Sequence, residues 1–160
     1  MGFCLFEDAQ SAGLFLAVNC AHVKEYSEVG EKDGRPVSKL EFTASLKRDG
    51  EDQTIEIIGT SDEIADLLDE GAKIGLQKVH LNLHNKLSQR PVPLLINRPS
   101  RIMVVRELMP EEFMSENNSI LTASILFYED GNTRFISERP GRFVKLTNQG
   151  GQTPILQIKE

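Results

Sequence analysis

The chain has 160 residues, 24 of them acidic and 18 basic, for a formal net charge of −6, and 39% of it is hydrophobic. That length fits one domain, or one compact domain with an extension, and that composition excludes a disordered chain. No apolar run approaches the roughly 20 residues needed to span a bilayer, so the expected location is the cytoplasm.

The N-terminal stretch MGFCLFEDAQSAGLFLAV is apolar, but it lacks a basic leading region and is interrupted by Glu7 and Asp8. It therefore does not read as a signal peptide. Cys4 and Cys20 have no CxxC spacing, which points to buried thiols rather than to a zinc site or a disulfide framework.

Residues 14–24 read as a strand, and the polar residues 27–36, with Gly30 and Asp33-Gly34, read as a turn-rich connection. Leu40, Phe42, Ala44 and Leu46 alternate with Glu41, Thr43 and Ser45, the period of a half-buried strand. Asp49-Gly50 then turns the chain into a further strand over 53–58. Thr60 and Glu63 have the spacing of a reciprocal capping box, with Ile64, Leu67 and Leu68 on one stripe behind it. Gly71 stands where a helix would end on a left-handed residue.

Residues 74–84 return to strand character with a phase change near Gln77-Lys78, which suggests a bulge. A loop over 85–93 follows, and 94–108 gives two extended pieces broken at Arg98-Pro99. Pro110 to Phe113 can start a helical turn. Asp130-Gly131 marks a hairpin between strands at 120–129 and 133–137. Short extended pieces are expected at 143–146 and 154–158.

Three strands, a helix and two more strands make the order of an OB-type barrel. The stretch from Leu40 to Leu83 resembles bacterial single-stranded DNA-binding proteins. The likeness lies in a strand ending at Gly59, a short helix ending at Glu70-Gly71, and the strand Ala72-Lys73-Ile74. It spans about residues 12–106. It implies a mainly β fold: an OB-like five-stranded barrel over 1–108 and a β-rich C-terminal extension over 109–160, packed on the barrel or on a second subunit. That family stacks bases on aromatics, whereas this chain has no Trp, and residues 71–106 contain no aromatic.

Charge supplies the functional signal. From Gly71 to Arg106 there are seven Lys or Arg and no Asp or Glu, where average composition would place about five acids. Clustered cations raise a local potential that net charge hides. Lys78, His80 and Asn82 alternate with Val79, Leu81 and Leu83, so they should share the solvent face of one strand. Lys86, Arg90, Arg98, Arg101 and Arg106 would extend a positive track along the following loop and strand. Spaced cations suit the repeated phosphates of a single strand, and His80 would add charge at lower pH.

The expectation is non-enzymatic binding of single-stranded nucleic acid with weak sequence preference. The alternative is a protein–protein assembly module of a phage, plasmid or secretion system, in which the basic segment meets an acidic protein. No Gly-x-Ser-x-Gly elbow, Walker loop or HExxH helix is present, so neither catalysis nor a cofactor is expected. His80 and His84 would lie about 13 Å apart on a strand, too far to share a metal ion. Phe127 and Tyr128 must point to opposite faces, and the sheet over 120–146 is expected to pair with a second copy.

Overall fold

The computed structural model describes residues 1–44, 46, 53–83, 92–108 and 123–156. In chain order the described elements are β1 (Phe3–Glu7), β2 (Phe15–Asn19), β3 (Val23–Lys32), β4 (Arg35–Phe42), β5 (Thr54–Ile58) and α1 (Ser61–Ala72). Then come β6 (Val79–Leu83), β7 (Val92–Ile96), β8 (Ile102–Glu107), β9 (Ser124–Tyr128), β10 (Thr133–Ile136) and α2 (Pro140–Thr147). The fold is mainly β, as expected. Its strands form a seven-stranded sheet in the order β1-β2-β8-β9-β10-β6-β7 and a three-stranded sheet β3-β4-β5.

This is not a closed five-stranded barrel. β4, β5 and α1 follow one another as expected, but the strand expected over 14–24 is mostly β2, which belongs to the seven-stranded sheet. β6 pairs with β7 and β10 rather than with the meander β3-β4-β5. Nor is the later chain an appendage to the sheet. β9 lies directly between β8 and β10, in the middle of the seven strands. Both neighbours of β9 belong to its own chain, which removes the free edge that pairing with a second copy would need there.

β1, β2 and β8 form the central layer and bury side chains on both faces. Cys4, Phe6, Leu16, Val18 and Val104 meet Leu40, Phe42, Ile57, Ile64 and Leu67 of the meander and α1. Phe3, Leu5, Ala17, Ile102 and Val105 meet Val79, Leu81, Leu126, Phe143 and Val144 on the other side. A strand covered twice needs no polar alternation, which explains the apolar FCLF run of β1. Phe3 and Phe143 meet edge to face, with ring centroids 4.9 Å apart.

The polar residues 27–36 form no open connection. They extend β3 and begin β4, closing a hairpin whose two turn residues, Asp33 (φ 53°) and Gly34 (φ 76°), both take left-handed backbone. That geometry matches the right-handed strand twist and favours Asp-Gly. Glu28 on β3 accepts the backbone N–H of Ser61 at 2.9 Å, tying the hairpin to the start of α1. The capping box forms as the spacing predicts: Glu63 N–H donates to Thr60 Oγ1 at 3.2 Å, and Thr60 N–H donates to Glu63 Oε1 at 3.0 Å.

Residues 143–146, expected as a strand, lie in α2. Pro140 occupies its first turn, where a missing N–H costs nothing, and Pro140, Phe143, Val144 and Thr147 bury one helical face. The expected strand from residue 74 begins only at Val79. Before it, Leu76 makes an isolated bridge with Asn148, and Gln77 N–H donates to the Thr147 carbonyl. The turn expected at Asp49-Gly50 and the helical turn from Pro110 lie outside the described residues. Among the described residues no helix is long and apolar enough to cross a membrane.

Candidate nucleic-acid interface

The β6–β7 hairpin presents the centre of the basic segment. Val79 and Leu81 are buried, while Lys78, His80 and Asn82 are exposed, so the alternation read from the sequence holds on β6. Across the ladder His80 faces Leu95 and Asn82 faces Pro93. Leu95 is 44% exposed, which is unusual for a leucine on a strand and makes this face part apolar, part cationic.

The register also explains Pro93. Asn82 uses its N–H on the Glu138 carboxylate and its C=O on Ser137 N–H, so its backbone groups point away from β7. Pro93, paired opposite, therefore turns its nitrogen to the outer edge, where no ladder bond is lost. Proline at that edge also discourages addition of a further strand.

The remaining cations do not continue one track. Arg98 lies just beyond the Val79–Ile96 pair that ends the ladder, so it flanks the same hairpin end as Lys78, and it is exposed. Lys78, His80 and Arg98 have no side-chain hydrogen bond or ion pair among the described residues. Arg101 stands 3.8 Å from Glu129, both side chains substantially exposed. Arg106 is half-buried at the far end of β8, roughly 15 Å along the strand from Arg101. Lys86 and Arg90 lie outside the described residues.

Folding also brings acids to the acid-free segment. The Glu138 carboxylate accepts the Asn82 N–H at 2.9 Å, and Glu129 approaches Arg101. Glu107 follows Arg106, and burial raises its carboxyl above the usual range, partly offset by the nearby Arg139. The positive polarity of the sequence is thus concentrated at the hairpin and diluted along β8. No local pattern could show this, because Glu129 and Glu138 arrive through pairing of distant strands.

The aromatics that the segment lacks are placed beside it. β9 pairs Ile125 with Arg106 and Phe127 with Val104, and β10 pairs Phe135 with Ile125. Paired residues share a sheet face, so Arg106, Ile125, Phe127 and Phe135 form one half-buried strip. Tyr128 points to the opposite face, as adjacency with Phe127 requires, and packs on the other core.

Comparison of the chain with protein-family models, curated proteins and solved structures finds no match. Fold and site therefore rest on the chain's own geometry.

Proposed function

We propose that this protein binds single-stranded nucleic acid, without catalysis, along the outer face of the β6–β7 hairpin. The supporting observation is that His80 on β6, and Lys78 and Arg98 flanking the Val79–Ile96 end of the hairpin, stand exposed with no counter-ion among the described residues. An exposed cation already paired to a carboxylate has little attraction left for phosphate, whereas an unpaired one exchanges only counter-ions and water. Lys78 and His80 are two residues apart, about 7 Å along the strand, so the charges are spaced rather than stacked. Leu95 gives bases an apolar surface beside them, and the Asn82 amide donates toward the Glu138 carboxylate at 3.5 Å. Such a face tracks a backbone and reads sequence weakly. The reading rests on the hairpin and does not require a closed OB barrel.

Fluorescence anisotropy of a labelled dT oligomer against salt concentration tests it. Two phosphates neutralised by Lys78 and Arg98 give a slope of log affinity against log salt of about −1.4. Replacing Lys78 and Arg98 together with Ala should flatten that slope by about 1.4. No binding at low salt would sink the proposal, and an unchanged slope in the double variant would move the site elsewhere.

One observation favours the second reading, a protein–protein assembly module. Val92 (38% exposed) and Leu95 both lie on β7, the last strand of its sheet. Absence of binding to single- and double-stranded DNA alike, with a mass above the monomer in solution, would favour that reading.

A further inference from the structure

The two cysteines, 16 residues apart in sequence, meet in space. Cys4 on β1 pairs in register with Val18, and the chain leaves β2 at Asn19 into a short 3-10 turn that begins at Cys20. Asn19 caps that turn by accepting Ala21 N–H, and Cys20 N–H donates to the Gly2 carbonyl at 3.1 Å. The result is an Sγ–Sγ separation of 3.1 Å. Cys4 also lies 3.0 Å from the Leu67 carbonyl of α1, so a chain runs from the Cys20 thiol through the Cys4 thiol to the helix backbone.

Space around the sulfurs is tight, and it closes from above. A Cβ at Gly71 would stand 2.5 Å from both Sγ atoms, so α1 lies directly on the pair because Gly71 has no side chain. Cys4 is fully buried and Cys20 is 7% exposed, leaving Cys20 as the side from which a small molecule can arrive.

We infer that Cys4 and Cys20 are a modification site at which hydrogen peroxide forms a reversible intrachain disulfide. The Cys20 thiolate attacks one peroxide oxygen, the O–O bond breaks, and Cys20 becomes a sulfenic acid while hydroxide leaves. The Cys4 sulfur then attacks the Cys20 sulfur, the S–S bond forms, and the S–O bond breaks. The departing hydroxide takes the Cys4 proton as water. Two thiols are oxidised by two electrons, and one peroxide is reduced to two waters. The hydrogen-bonded pair suits this order of events. Once Cys20 ionises, Cys4 can turn its S–H from Leu67 to the new thiolate, which holds the Cys20 thiol down and the Cys4 thiol up.

The bond shortens the sulfur separation from 3.1 Å to about 2.05 Å and closes the loop between β1 and the end of β2. Closing a loop of that size should raise the melting temperature by roughly 5–10 °C.

The 160-residue chain carries two cysteines, these two, so intact mass is decisive. The reduced protein is treated with hydrogen peroxide, denatured, alkylated with iodoacetamide and weighed. The expected product is a monomer lighter by two hydrogens, unalkylated and melting higher, with both changes reversed by dithiothreitol. Two alkylated thiols, added oxygen without loss of hydrogen, or a covalent dimer would each overturn the inference. In Cys4→Ala, compared with and without peroxide, the rise in melting temperature should vanish. A rise that persists would also overturn it.

Discussion

Gly71 illustrates how one residue can be singled out for one reason and needed for another. Its position after an apolar stripe suggests a left-handed helix stop. Yet α1 continues to Ala72, and Gly71 is not among the positive-φ glycines. What requires glycine is the closeness of two sulfurs, which the spacing of Cys4 and Cys20 in the sequence cannot reveal. Gly71→Ala should therefore destabilise by about 1–3 kcal/mol through overpacking, although alanine is the better helix former. Chemical denaturation measures this. The same change in a Cys20→Ala background should cost distinctly less, because one of the two crowding sulfurs is gone. Equal costs in both backgrounds would mean that backbone conformation, not the sulfurs, selects glycine. His80 and Asn82 were legible for the opposite reason. Their exposure follows from alternation with Val79 and Leu81 within one five-residue strand.

At the level of elements, what could be read was what is local. The start of α1 depends on Thr60 and Glu63, three residues apart, and both reciprocal bonds form. Thr60→Ala should cost about 1 kcal/mol, seen in a thermal or urea melt, because Glu63 N–H loses its acceptor. No loss of stability would mean that Glu28 on Ser61 N–H already suffices to hold the helix start. β3 was illegible for a complementary reason. All but Val23 of its residues are exposed, so it carries no burial pattern, and its strand state comes from hydrogen bonding along β4. α2 was misread because Phe143-Val144-Lys145-Leu146 is too short to separate a period of 2 from one of 3.6. Only the spacing of Pro140, Phe143, Val144 and Thr147 marks the helix, and that spacing gains meaning once Phe143 meets Phe3.

Across the whole molecule, long-range pairing decides both the stability of the fold and the placement of the basic face. β8 is bracketed by β2 and β9, while among the described strands the β6–β7 hairpin joins the rest of its sheet through β10. The segment before β6 is held by Thr147 and Asn148. Removing everything after residue 108 takes away Leu126, Ile136, Phe143 and Val144, all fully buried. At about 1.5–3 kcal/mol for each large side chain, the loss is about 6–12 kcal/mol, comparable to the 5–15 kcal/mol that holds a typical domain together. A chain ending at Leu108 should therefore show no cooperative melt by circular dichroism and little dispersion in an amide correlation spectrum. A cooperative transition with dispersed amides would show that the first 108 residues fold by themselves. The same dependence reaches the proposed function. Lys78 and Arg98 carry the charge, but β10 and α2 hold the hairpin that they flank. The truncated chain should then lose the salt-dependent oligonucleotide binding of the 160-residue chain while keeping every cation of the acid-free segment. If it keeps binding with an unchanged salt slope, composition alone supplies the attraction and the hairpin face is not the site.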